Sequence, residues 1–440
     1  MFQTLKNAFL DKDIRKKLII TLLILLIYRI GCFVPVPGIN PTAFGSLATG
    51  NDFFRVLSTI TGGSLQNGTL FALGILPYIN ASIILQLLTL VIPPLERWAK
   101  EGGEEGRQKM AQLTRISAIV LAIVQGIGIV ISWNNSGYIQ GLFGMESPVL
   151  TMIFVIVIMV AGSNLTMWLG EKITEYGVGN GTSLIIFIGI ISGVGTSFIN
   201  EFQLIGENPE VVWKLILYVV MVLLVFVFII FVDLAERRIT VQYAKQIKGN
   251  KMYGGQTTYI PIRVNGSGVM PIIFASSLLT FPQMIITLFA PQSEAAAWYS
   301  QNMGSGTWVY YLFMVVLILF FAYFYAQIQF NPDDVSKNIQ QYGGFIPGIR
   351  AGKPTSDFLR RISNRITLFG AIFLALLALI PTFIFNALSG GTGNPLEVGP
   401  LGFGGAFSAT GLLIVVSTAL EFNKQLESQI MMRHYKGFLK

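Results

Sequence analysis

Ten apolar runs, each bounded by charge or by proline and glycine, constrain this chain more than any other feature. They cover residues 18–34, 70–92, 115–133, 149–169, 181–200, 212–232, 269–290, 308–328, 366–386 and 405–420. A helix needs about 20 apolar residues to cross ~30 Å of hydrocarbon, and the runs reach or approach that length. Of the 440 residues, 53% are hydrophobic and only 12% are charged, whereas a soluble domain carries about 25% charged residues. The expected fold class is an all-α polytopic membrane protein of about ten transmembrane helices. The charged N-terminus and first run resemble a signal peptide. No small-residue cleavage site follows, only Val34-Pro35-Val36-Pro37-Gly38, so the first run reads as an uncleaved span.

Basic residues sort by loop. Of 30 lysines and arginines, 27 lie before the first run, in loops 93–115, 170–180, 233–268 and 329–365, or in the tail. Every second loop is therefore basic; the loops between hold Arg55 and Lys214, and Arg29 lies within the first span. Such an excess marks the cytoplasmic side, which puts both termini in the cytoplasm. The net charge of +8 follows from this topology and calls for no DNA partner. The acidic loop 201–210 divides the spans five and five, giving an N-terminal half, 1–205, and a C-terminal half, 206–440. An odd number of spans per half lets the second enter with opposite orientation, as in inverted repeats whose sites lie between the halves.

Residues 57–92 break the regular pattern. A short apolar run, Leu57-Ser58-Thr59-Ile60, is interrupted by Gly62-Gly63, and a full-length span is expected from Thr69 to Ile92, stopped by Pro93-Pro94. Irregular backbone at membrane depth survives only inside protein or beside a water-filled cavity. This stretch points to a cavity.

Several chemistries lack their residues. No Walker-type glycine loop is present. Cys32 is the only cysteine and His434 the only histidine, which excludes a zinc site of the usual donors and an intrachain disulfide. No cofactor and no enzymatic activity are expected. Carboxylate pairs, which ion-coupled transporters place at midplane, are missing from the spans; Glu171 and Glu175 fall near the end of the fourth. A secondary transporter or an intramembrane enzyme would need such groups. Aliphatic pairs stand instead: Ile79 and Ile83, then Ile186 and Ile190, each four apart on one helical face. Spacing alone favours packing or lipid contact; a ring of such residues would form a dewetting constriction.

The motifs resemble one family. Gly74-Ile75-Leu76-Pro77-Tyr78-Ile79-Asn80-Ala81-Ser82-Ile83-Ile84-Leu85-Gln86-Leu87-Leu88 is similar to the second-span signature of the SecY family of protein-conducting channels. Trp168-Leu169-Gly170-Glu171-Lys172-Ile173-Thr174-Glu175-Tyr176-Gly177-Val178-Gly179-Asn180-Gly181-Thr182-Ser183 resembles its second signature. Arg29-Ile30-Gly31, Glu236-Arg237-Arg238-Ile239 and Phe345-Ile346-Pro347-Gly348-Ile349-Arg350 agree as well.

The resemblance implies two pseudo-symmetric inverted halves around an hourglass pore, with no catalytic residue. It implies a pore ring of Ile79, Ile83, Ile186, Ile190, Ile273 and Ile414. It makes 57–65, with Leu57, Ile60, Gly62, Gly63 and Leu65, a plug. Lateral opening would occur between spans two and three on one side and seven and eight on the other, with Asn80 and Gln125 as polar gate residues. The long basic loops, with Arg237, Arg238, Lys245, Lys248, Arg350 and Lys353, would dock the motor ATPase SecA or the ribosome. Ala351 stands where the family usually has proline, which removes one source of stiffness from the loop tip. Implied partners are the SecE and SecG subunits, signal sequences, translocating polypeptides and lipid. The implied location is the bacterial cytoplasmic membrane.

Overall fold

The computed structural model describes residues 8–39, 61–65, 67–100, 102–135, 137–139, 148–204, 210–243, 246–248, 251–253, 257–289, 293–304, 307–388 and 409–437. Each of the ten apolar runs falls on a helix. These are α1 (Lys12–Gly31), α2 (Leu76–Val91), α4 (Gly103–Asn135), α5 (Pro148–Tyr176), α6 (Gly181–Leu204), α7 (Glu210–Leu234), α8 (Met270–Phe289), α10 (Trp308–Gln329), α12 (Lys353–Leu388) and α13 (Ala409–Gly437). Among the described residues, three shorter helices connect them: α3 (Pro93–Lys100), α9 (Glu294–Met303) and α11 (Pro332–Gln341). The first residues of the tenth run, 405–408, and the boundary at 205 lie outside the described residues.

Several helices outrun their apolar segments. α4 begins at Gly103, α12 begins at Lys353, and α13 continues to Gly437, so the tail bearing His434 is helical. Hydropathy marks the lipid-facing portion of a helix, whereas hydrogen bonding continues wherever polar turns are supported. In α4 that support includes Glu104 and Glu105 in the first turn and the Lys109–Glu105 ion pair, 2.7 Å apart. Acidic groups suit a helix N-terminus, and i,i+4 pairs add to helix stability.

α2 departs the other way. The full-length span expected from Thr69 begins only at Leu76, and its 16 residues make about 24 Å of helix. Residues 70–75 form turns, with Ala72 N–H donating to the Thr69 carbonyl and Gly74 N–H to that of Phe71. α5 holds this irregular backbone: Ser163 Oγ donates to the Gly74 carbonyl at 3.0 Å. Gly162 lets Leu70 come close, since a Cβ there would stand 1.9 Å from the Leu70 carbonyl oxygen. At its other end, α2 stops at extended Ile92, and Pro93 starts α3, as the restriction on residues before proline requires.

Three apolar clusters matter for function. The central one joins residues of α2, α6, α8, α10, α12 and α13, among them Ile83, Ile190, Phe274, Phe321, Leu374 and Leu413. A second packs Val36, Leu65, Leu73, Val130, Trp133 and Met159. The third lies outside the spans. It joins Ile239, Val241 and Ile262 from one long basic loop to Ile339, Ile346, Leu359 and Ile362 from the other.

Those loops hold small β elements within the helical fold. β1 (Glu236–Tyr243) pairs antiparallel with β4 (Thr257–Arg263), with Ile239 opposite Ile260. Between them β2 (Gln246–Lys248) pairs with β3 (Lys251–Tyr253). Lys251-Met252-Tyr253 is thus strand, although it stands just before Gly254-Gly255. The other edge of β1 receives β5 (Gly344–Phe345), with Gln242 opposite Phe345. The sheet order is β4-β1-β5. Two loops read separately in the sequence therefore form one unit.

Candidate pore, plug and gate

The structure brings the six aliphatic positions together. Ile79, Ile83, Ile186, Ile190 and Ile414 all belong to the central cluster and are 2–8% exposed; Ile273 is half-buried and packs against it. They come from α2, α6, α8 and α13, so distant parts of the chain meet at this point. Ile79, Ile186, Ile273 and Ile414 also line a cavity of about 600 Å³, with Asp233, Arg263, Asn265, Glu421 and Lys424 elsewhere on its wall. The cavity thus passes from aliphatic to charged surface. Asn265 Nδ2 donates to Asp233 Oδ1 at 2.8 Å, while the buried Asn265 Oδ1 has no protein hydrogen-bond partner.

The segment expected as plug is described from Thr61; Leu57 and Ile60 lie outside the described residues. Gly62 and Gly63 both adopt left-handed backbone, with φ of 65° and 85°, a region glycine reaches without a steric penalty. Gly62 presses on α6: a Cβ built on it would stand 2.8 Å from Gly189 Cα. Gly189 precedes Ile190 and follows Ile186 by three residues, so the glycine end of the segment touches the helix that carries both isoleucines. Leu65 is buried in the neighbouring cluster beside Leu73 and Trp133.

Of the expected gate residues, Gln125 is buried in α4. Asn80 is half-buried in α2, and its Oδ1 has no hydrogen-bond partner. A polar contact links the second and eighth spans at another position. Tyr325 of α10 donates its hydroxyl to Gln86 Oε1 of α2, joining the second and eighth spans. Phe274 of α8 packs on Tyr325 with ring centroids 5.0 Å apart. Gln86 stands within the second-span signature as its longest polar side chain, and that was the available signal. Tyr325 gave none, sitting in an aromatic run.

The second signature ties α5, α6 and α1 together. Asn180 Oδ1 accepts from Thr182 N–H and Oγ1 at the start of α6. Val178 N–H donates to Thr21 Oγ1 of α1 at 3.0 Å. Glu171 pairs with Arg115 at 2.8 Å and Glu175 with Lys172 at 2.7 Å, so both carboxylates are matched at the helix end.

In the basic unit Arg237, Arg238, Arg350 and Lys353 are exposed, although Arg238 pairs with Glu236 at 2.8 Å. Lys248 lies in β2, and Lys245 is outside the described residues. The Arg350 tip gains its stiffness without proline. Thr355 Oγ1 donates to the Arg350 carbonyl at 2.8 Å, and Ser336 Oγ to that of Gly352 at 2.7 Å. Asp333 anchors the adjoining helices: it accepts from Ser356 Oγ and pairs with Arg360 at 2.7 Å. The Ser356 hydrogen bond, with the charges of Arg360 and Lys337, holds its carboxyl below the usual aspartate range.

Comparison with known proteins agrees with this geometry. The SecY family model matches residues 69–423. The protein translocase subunit SecY of Halalkalibacterium halodurans is 41% identical over 446 residues, covering all of both chains. Among solved structures, one in which the plug domain of the SecY protein stabilizes the closed state of the translocation channel superposes with a TM-score of 0.64 at 20% identity. It covers 94% of this chain and 92% of that one. The channel of a canine ribosome–channel complex from the endoplasmic reticulum gives a TM-score of 0.60 at 19% identity, again over 94% and 92%. The shared fold is that of a ten-span, pseudo-symmetric channel. A family match across most of its length and full-length identity above 40% to a translocase subunit place this chain in the SecY family of multi-pass membrane proteins.

Proposed function

We propose that this chain is the central, pore-forming subunit of the general secretory translocon in a bacterial cytoplasmic membrane, with both termini cytoplasmic. It is a passive, gated path for unfolded polypeptides and releases apolar segments sideways into lipid. Energy comes from partners: SecA or the ribosome docks on the basic unit through Arg237, Arg238, Lys245, Lys248, Arg350 and Lys353, and SecE and SecG complete the channel. The observation that carries the reading is that six isoleucines from four helices share one apolar cluster, and four of them line a cavity with charged walls.

In this reading the ring seals without hydrogen bonds. Aliphatic side chains bind neither ions nor water, so a closed ring excludes both, and they repack around a passing chain of any sequence. Leu57, Ile60, Gly62, Gly63 and Leu65 form the plug that backs the ring. Asn80 and Gln125 line the lateral gate between the N-terminal half, 1–205, and the C-terminal half, 206–440. A signal sequence is more stable beside lipid than in water. It binds the parted gate better than the closed one, and that differential affinity shifts the channel toward opening. Ion conductance of the idle channel in planar bilayers tests the ring. Replacing Ile83 and Ile190 with glycine raises it well above the parent; unchanged conductance removes the ring assignment.

A further inference from the structure

We propose that Arg29 is the positioning residue that seats the plug against the waist of the idle channel. The inference rests on the reading of 57–65 as plug. Arg29 occupies the last turn of α1, and residues 18–30 contain no other charge. A cation kept at such depth is usually retained for a partner or a function. Its Nη1 donates to the carbonyl of Gly62 at 3.2 Å, 33 positions further along the chain. The guanidinium also lies 4.9 Å from the Phe33 ring centroid.

α6 packs against the same glycine. A Cβ built on Gly62 would stand 2.8 Å from Gly189 Cα, 2.9 Å from the Gly189 carbonyl oxygen and 3.2 Å from Arg29 Nη1. Gly62 therefore contacts both a guanidinium and the backbone of the helix that carries Ile186 and Ile190. Residues just beyond are fixed separately. Ser64 N–H and Oγ donate to the Thr61 carbonyl, and Thr69 N–H and Oγ1 donate to that of Ser64. Val36 N–H donates to the Gly68 carbonyl and Leu70 N–H to that of Val34. These bonds hold the root of the segment to the chain after α1. The Arg29 bond instead fixes the glycine hinge at the waist, and plug displacement breaks it. A charge-assisted hydrogen bond is among the stronger single contacts a side chain can supply, so its loss shifts the plug toward its displaced state.

The test measures idle ion conductance of the assembled channel in planar bilayers, together with export of a substrate whose signal sequence is weakened. Arg29→Gln raises conductance about tenfold, the shift expected on losing a hydrogen bond to a charged group, and improves export of the weakened substrate. Arg29→Lys keeps the charge but not the fork; it gives a smaller leak and serves as the test should Arg29→Gln fail to insert. Gly62→Ala attacks the same seat from the α6 side and also leaks. The Arg29→Gln/Gly62→Ala pair leaks no more than the leakier single variant, because both act on one seat. Multiplying leaks in the pair, or parental conductance in all three single variants beside a leaking deletion of 57–65, overturns the role of Arg29. If the deletion itself leaves conductance unchanged, the plug reading fails instead.

Discussion

The waist and the basic unit meet the same need, closure of a surface by distant parts of the chain, in opposite ways. At the waist four helices contribute aliphatic side chains, and the six ring positions form no side-chain hydrogen bonds. In the basic unit β1 carries a backbone ladder on each edge, and Asp333, Ser336 and Thr355 fix the helix and the tip around it. Apolar contact is non-directional, so the waist can part and close again over many arrangements. A ladder and its buried hydrogen bonds have one good geometry, so the basic unit is held in a single arrangement. Under the proposed reading, the waist yields to the passing chain while the basic unit receives the partner's push.

Breaking the basic unit at its core has the largest expected effect. Leu359 is fully buried between the two loops, and Leu359→Ala costs about 2–5 kcal/mol of local stability. Partner-driven translocation falls sharply, while idle conductance stays parental. A leak in that variant would show that the two regions are not separable. Arg350→Glu also reduces SecA-driven translocation, but leaves channel insertion and folding intact; normal activity removes Arg350 from docking.

A smaller change acts at the gate. Tyr325→Phe deletes the hydrogen bond to Gln86, and such interhelical bonds in membranes are worth roughly 0.6 kcal/mol on average. The variant should export weakly apolar signal sequences up to a few-fold better. Equal or poorer export means the bond is not part of the closed gate.

The smallest effect concerns pH. The Asp333 carboxyl is held below its ordinary value, so its ionised form favours the folded unit. That contribution is complete above the unfolded aspartate pKa, near 3.9, and is lost as pH falls through the lower folded value. Proteolytic protection of the basic unit should therefore weaken on the acid side, and Asp333→Asn should flatten that dependence. An unchanged acid slope in the variant excludes Asp333 as its source.

The two regions also differ in how far the sequence revealed them. Spans are legible because lipid burial is written in composition, and all ten runs became helices. The ring positions were visible only as spaced isoleucines, which packing explains equally well; the signature motifs separated the two readings. The polar turns that extend α4, α12 and α13 look like loops, since hydropathy does not register helical hydrogen bonds. The pairing of β5 with β1 was invisible. A two-residue strand carries no periodicity, and its partner lies about a hundred residues away. Gly62-Gly63 announced an irregular backbone, but not that Gly62 would meet Gly189 and Arg29. Gln86 was in plain view, and what was missing was Tyr325, its partner on α10.

The central claim is that polypeptides pass through the isoleucine waist. The most direct measurement is site-specific crosslinking of a stalled secretory chain, with the photoreactive residue placed in turn at positions 79, 83 and 190 of the channel. Strong crosslinks from all three, and none from the exposed position 223 on α7, are expected. Crosslinks from position 223 with none from the three ring positions would contradict a central path.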